Sequence, residues 1–145
     1  MERKAITDFS LLWSLYESTV LERRGSANKI IFSVDLLKER VKLTLAPFLE
    51  AIEYFRARYY NGESFNPEFD RLLLRRSDHK LLIEKVLRRE TSTDSEILSA
   101  ILIIVLRLRN NLFHGEKWTY ELQGQLQNFN NANSVLMSVM DLHSS

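Results

Sequence analysis

The feature that most constrains this fold is one apolar run at residues 97–106, interrupted only by Ser99 and Ala100. A helix that is apolar on every side has to be surrounded by other elements of the same protein. The run has about half the length that a membrane span requires. It therefore predicts a central, buried core helix over residues 94–113.

Apolar residues recur at spacings of three and four through most of the remaining chain, which is the helical period. This pattern predicts helices over residues 4–23 and 119–141, and a helical segment over residues 34–55. Pro47 lies inside the third segment and lacks a backbone N–H, so we expect a kink or break near residues 43–46.

The segments between these helices include a linker, a loop and a further helical region. Residues 26–32 read as an apolar linker or an extra turn, and NGESFNPEF is the clearest loop. Asn66-Pro67 is typical of an N-cap followed by a proline in the first helical turn. We expect that helix to run to about Glu90, with an interruption into two helices at Ser77-Asp78.

The length and composition fit a single domain over residues 1–145, an all-α bundle of four or five main helices. Four glycines and two prolines leave few tight turns, which argues against a many-stranded sandwich or barrel. The absence of cysteine excludes disulfides, cysteine zinc sites and thiol nucleophiles. Three dispersed histidines have no metal-ligand spacing, so we expect no metal and no cofactor.

The charge balance and the chain start bear on partners and location. A net charge of +1 is not the balance of a nonspecific nucleic-acid binder. The start MERKAITDF contains no apolar run of signal-peptide length, and no run is long enough for a membrane span. We therefore expect a cytoplasmic protein without a membrane partner.

One polar cluster follows the apolar run directly. It contains the site candidates Arg107, Arg109, Asn110, Asn111, His114 and Lys117. At about 100° per residue, Asn110 and His114 share a helix face, whereas the directions of Arg109 and His114 differ by about 140°. Arg109 of one chain could stand beside His114 of another across a two-fold axis, so a site that uses this pair is easier to build in a homodimer.

These side chains can cleave RNA without a metal ion. Histidine exchanges protons near neutral pH, and arginine is a permanent fork of donors that matches phosphate oxygens. Asparagine can orient a hydroxyl group or a phosphate oxygen. Only RNA carries the 2′-hydroxyl that can attack its own neighbouring phosphate.

The sequence Arg109-Asn110-x-x-x-His114, at the end of an apolar helix and followed by Gly115, resembles the motif of the HEPN superfamily. That motif is an arginine, a polar residue after it in most members, and a histidine after a gap of four to six. The resemblance implies an α-helical bundle and a homodimer with the motif at the interface. It also implies metal-independent endoribonuclease activity in a prokaryotic toxin–antitoxin or anti-phage system, with a cognate antitoxin as a further partner.

The resemblance assigns catalytic roles to Arg109, Asn110 and His114. Arg107 also has a compatible gap to His114, so either arginine could be the essential one; the polar Asn110 favours Arg109. HEPN toxins with a nucleotidyltransferase antitoxin tend to have a tyrosine two residues after the histidine, where this chain has Glu116. That departure argues against such a partner.

The remaining candidate residues have simpler interpretations. Arg107, Asn111 and Lys117 are secondary candidates for substrate binding, and Arg107 could equally be structural. The segment FRARYY (residues 55–60) could stack bases, although an amphipathic helix end explains it better. His143 is expected in a disordered tail.

Two other functions remain open. The first is a catalytically silent HEPN-like module that dimerises or binds nucleotides. The second is an all-α antitoxin or adaptor in which the polar cluster is structural.

Overall fold

The computed structural model describes residues 2–91, 93–112 and 125–145, and these residues form an all-α fold, as predicted. The described helices are α1 (Glu2–Thr19), α2 (Ala27–Arg40), α3 (Leu49–Tyr59), α4 (Pro67–Asp70), α5 (Lys80–Leu87), α6 (Asp94–Leu112) and α7 (Leu126–His143). Five of them have 11 to 19 residues, and α4 and α5 are shorter. Within the described ranges, β pairing is limited to an isolated bridge between Tyr60 and Phe65.

Helix α6 is the centre of the core, which confirms the prediction from its apolar run. Every residue from Ile97 to Leu108 is buried. The helix packs against α2, α5 and α7, so its neighbours cover more than one face. The end of this central helix is where the predicted motif begins.

Helices α1 and α7 pack along each other on one side of the bundle. The rings of Phe9 and Phe129 are 5.4 Å apart, and Asn133 Nδ2 donates to the carbonyl of Ala5 at 3.2 Å. Residue numbers rise along α1 as they fall along α7, so the two helices are antiparallel.

The first two helix boundaries differ from the sequence prediction. Helix α1 ends at Thr19, four residues early, and the backbone of Glu22 and Arg23 adopts positive φ values of 53° and 67°. The linker predicted at residues 26–32 is wrong, because α2 begins there. Ser26 caps it by accepting a hydrogen bond from the Lys29 backbone N–H at 3.2 Å.

The break expected near Pro47 is confirmed. Residues 41–45 are not helical, and Pro47 lies in the 3₁₀ turn Ala46–Phe48 that leads into α3. Proline fits the first turn of a helical segment because the N–H it lacks would have no intrahelical acceptor there.

The long helix expected from residue 66 to about Glu90 is wrong. Helix α4 ends at Asp70, and the chain becomes helical again only in the 3₁₀ turn Arg76–Asp78 and in α5. Leu73 and His79 adopt left-handed φ values of 54° and 58°, which an α-helix cannot accommodate. The interruption is therefore much longer than the one predicted at Ser77-Asp78.

The last helix is described from Leu126 to His143, so the predicted start at residue 119 lies outside the described residues. The expectation of a disordered tail at His143 is wrong. Arg40 donates to the carbonyls of His143 (2.9 Å) and Ser145 (2.7 Å), which fastens the end of α7 to the end of α2. None of the described helices has the length and hydropathy to cross a membrane.

Candidate functional site at the end of helix α6

The structure describes four of the six predicted site residues. Arg107, Arg109, Asn110 and Asn111 lie in the last two turns of α6. His114 and Lys117 lie outside the described residues. Arg107 is buried, and the other three described side chains are half-buried.

Arg107 points into the protein, with only 2% of its surface exposed. Its Nε donates to the carbonyl of Leu72 at 3.1 Å and lies 3.7 Å from the carboxylate of Asp78, which is also buried. A terminal guanidinium nitrogen donates to Asn111 Oδ1 at 3.4 Å. The Arg107 side chain is thus bound within the fold, which favours the structural interpretation of this arginine.

Asn111 acts together with Arg107. Its Nδ2 donates to the carbonyls of Arg71 (3.2 Å) and Leu72 (3.0 Å), the two residues that follow α4. Residues four apart on a helix share a face, and Arg107 and Asn111 use that face to hold the segment after α4. From the sequence, both residues were candidates for substrate binding. The sequence contains no signal that their hydrogen-bond acceptors are backbone carbonyls about 40 residues earlier.

The pKa of Arg107 is affected by its burial and by two neighbouring charges. Burial lowers the pKa of the guanidinium, the negative charge of Asp78 raises it, and the positive charge of Arg75 lowers it. Arginine stays protonated in proteins regardless. Asp78, which the sequence suggested only as a helix interruption, is therefore the counter-ion of a buried charge.

Arg109 and Asn110 occupy a different part of the helix surface. Two residues beyond Arg107, the Arg109 side chain leaves the helix about 200° away from it. An Arg109 guanidinium nitrogen donates to Asn110 Oδ1 at 3.5 Å, which is a long hydrogen bond. These two half-buried groups are the motif residues that the structure leaves partly accessible at the end of α6.

Several aromatic and basic residues outside α6 contact other side chains of the protein. Phe55 and Tyr59 are buried, so FRARYY is an amphipathic helix end, the interpretation that the sequence favoured. The guanidinium of Arg88 lies 5.0 Å from the centre of the Phe65 ring, and Arg89 pairs with Glu53 at 2.6 Å.

The described residues contain no group of three or more histidine, cysteine, aspartate or glutamate side chains arranged to hold a metal ion. No protein-family model, curated protein or solved structure matches the chain.

Proposed function

We propose that this chain is a HEPN-like, metal-independent endoribonuclease that acts in the cytoplasm as a toxin or anti-phage effector. The observation that carries the proposal is the division of roles at the end of α6. Arg107 is bound inside the fold, whereas Arg109 and Asn110 are half-buried at the end of a helix that is buried from Ile97 to Leu108. This division supports Arg109 as the essential arginine of the Arg-x4-His motif that His114 completes.

The proposed reaction is an internal transfer within RNA. The 2′-oxygen attacks the adjacent phosphorus, a new 2′-O–P bond forms, and the bond from phosphorus to the 5′-oxygen of the next nucleotide breaks. His114 accepts the 2′-hydroxyl proton and then releases it to water, and the 5′-oxygen leaves as a hydroxyl after it takes a proton from water. The products carry a 2′,3′-cyclic phosphate and a 5′-hydroxyl end.

Arg109 would stabilise the phosphorane, whose non-bridging oxygens carry more negative charge than those of the starting diester. Its charge is permanent, and its planar fork can contact two of those oxygens at once. Asn110 would orient the 2′-hydroxyl or a phosphate oxygen from the same helix turn.

We also propose that the site is completed by a second copy of the chain. In an ideal α-helix, side chains five positions apart, which is the spacing of Arg109 and His114 in the sequence, point in directions about 140° apart. A two-fold axis beside the helix end would bring Arg109 of one subunit to His114 of its partner. A cognate antitoxin would then act by covering this interface.

The proposal is tested by RNA cleavage in excess EDTA. Wild-type protein should cleave single-stranded RNA and leave 2′,3′-cyclic phosphate ends. Arg109→Ala should lower the rate by about 10²–10³-fold, the usual effect of removing one donor to a transition-state oxyanion. Product ends are identified by sensitivity to cyclic phosphodiesterase.

Arg3→Ala is the matched control, since Arg3 is an exposed arginine in the first turn of α1, a different helix from the one that carries Arg109. It should cleave like the wild type. RNA binding without cleavage by the wild type would favour the silent module. Cleavage by Arg109→Ala at the wild-type rate would refute the proposed role of this arginine.

The shared site makes a second prediction, for mixed variants. Arg109→Ala and His114→Ala are each expected to keep about 1% of the wild-type activity or less, but a refolded equal mixture should regain about one quarter of it. Half of the dimers are then mixed, and each has one intact site and one doubly altered site. If Arg109 and His114 of the same chain formed the site, mixing would restore nothing.

A further inference from the structure

The segment between α4 and α5 carries three arginines beside the motif helix. Residues 71–76 read Arg-Leu-Leu-Leu-Arg-Arg and contain no acidic residue. Leu73, in the middle of this segment, has a left-handed backbone φ of 54°, which a leucine keeps only when its surroundings enforce it. Arg107 and Asn111 both donate to the carbonyl of Leu72, the residue just before it. The last turns of α6 therefore hold this basic segment in place.

Arg75 is connected to the motif helix through a buried carboxylate. Its backbone N–H donates to Asp78 Oδ2 at 2.7 Å, and the same oxygen lies 3.7 Å from Arg107 Nε. The positive charge of Arg75 also lowers the pKa of Arg107, because two like charges that are close together disfavour each other. Asp78 carries a single negative charge, so it cannot neutralise both arginines. A second anion beside Arg75 would be bound favourably.

The side chains of Arg75 and its neighbour Arg76 are accessible to such an anion. Both residues are exposed, and no carboxylate among the described residues forms a salt bridge with either guanidinium. Their planar forks match the oxygens of a phosphate. A helix with its side chains is about 10–12 Å across. A single RNA strand of a few nucleotides can therefore contact this pair and also reach Arg109, on another face of α6.

We propose that Arg75 and Arg76 each contact a phosphate of the RNA strand outside the cleavage point, and so hold the strand against the end of α6. This inference rests on the proposed ribonuclease function, since it concerns the substrate of that site. An RNA strand is favoured over an acidic protein because Arg75 lies at the same end of α6 as Arg109, the proposed contact to the reacting phosphate. Phosphate contacts do not read bases, so the pair should bind different sequences alike.

The test is the salt dependence of binding to a 2′-O-methylated, fluorescein-labelled, mixed-sequence oligonucleotide, which lacks the free 2′-hydroxyl and is not cleaved. Each phosphate contact to a single strand contributes about 0.7 to the slope of log affinity against log salt, so Arg75→Gln/Arg76→Gln should reduce the slope by about 1.4. Arg75→Lys/Arg76→Lys should keep it. The matched control, Arg3→Gln/Lys4→Gln, removes two adjacent exposed positive charges from α1 and should also keep the wild-type slope.

Cleavage kinetics separate a contact to the strand from a catalytic role. With a cleavable RNA, Arg75→Gln/Arg76→Gln should act on KM far more than on kcat, because the pair contacts no reacting atom. A lower kcat at an unchanged KM would overturn the inference.

A further measurement uses the wild type and covers the case in which the glutamine variant fails to fold. Phenylglyoxal modifies accessible arginines, and peptide mass spectrometry should show less modification of Arg75 and Arg76 when the oligonucleotide is bound, with Arg3 modified as before. Equal modification with and without oligonucleotide, or an unchanged slope in the folded glutamine variant, would overturn the inference, while wild-type cleavage would leave the proposed function standing. Binding that needs the pair, without any cleavage, would overturn the ribonuclease function and retain this contact.

Discussion

His114→Ala is expected to lower the kcat of RNA cleavage by about 10²–10⁴-fold, the usual contribution of a positioned general acid–base group. Affinity for an uncleavable 2′-O-methylated RNA should change little, because Arg109, the proposed phosphate contact, remains. The measurement is single-turnover cleavage of a labelled RNA in EDTA together with binding of the uncleavable analogue. A loss of affinity with an unchanged cleavage step would contradict the proton-transfer role.

The matched control for His114 is His79→Asn. The ring Nε2 of His79 lies 2.6 Å from Asn28 Oδ1, and its backbone φ is 58°. Asparagine tolerates that left-handed conformation better than most residues, so the variant should fold. It should also cleave RNA at the wild-type rate, which would show that the effect at His114 is not a general consequence of losing a histidine.

Arg107→Ala is expected to lower the free energy of unfolding by about 3–5 kcal/mol, the usual cost of breaking a buried ion pair by removing one partner. The change leaves the buried carboxylate of Asp78 without its cation and removes a donor from the Leu72 carbonyl. Urea denaturation followed by circular dichroism measures the loss.

Two comparisons make this prediction specific. Arg109→Ala, on the same helix but half-buried, should cost about 1 kcal/mol or less. Arg107→Met should also be less destabilising in an Asp78→Asn background than in the wild type, because no charge is then left unpaired. Equal losses for the two arginines, or no coupling between Arg107 and Asp78, would show that the buried pair does not stabilise the fold.

The local helix pattern was largely predictable because it depends on side-chain periodicity within each segment. The run at residues 97–106 is apolar on every face, and burial from Ile97 to Leu108 follows from that alone. The break at Pro47 follows from a missing N–H. Helix boundaries were less predictable. Ser26 caps a helix where periodicity suggested a linker, because the start of α2 depends on this cap and on the packing of α2 against α6.

The candidate site was also predictable only in part. Arg109, Asn110 and His114 were visible as residue types at a spacing, and that spacing makes a site that uses Arg109 and His114 easier to build in a homodimer. The roles of Arg107 and Asn111 were not visible, because both could serve as phosphate donors as well as donors to a backbone carbonyl. Only the hydrogen-bond acceptor distinguishes the two roles, and that acceptor lies far away in the chain.

By itself, the sequence determined an all-α protein with a buried central helix that leads into an Arg-Asn-His cluster, because periodicity and residue type are local properties. The tertiary structure decided which of those polar groups are internal. It places the Leu72 carbonyl and the Asp78 carboxylate against Arg107, and it ends α4 at Asp70. A buried charge and a buried carbonyl each require a partner. In this chain the partners lie about 30 to 40 residues apart in the sequence, so no local pattern encodes these contacts.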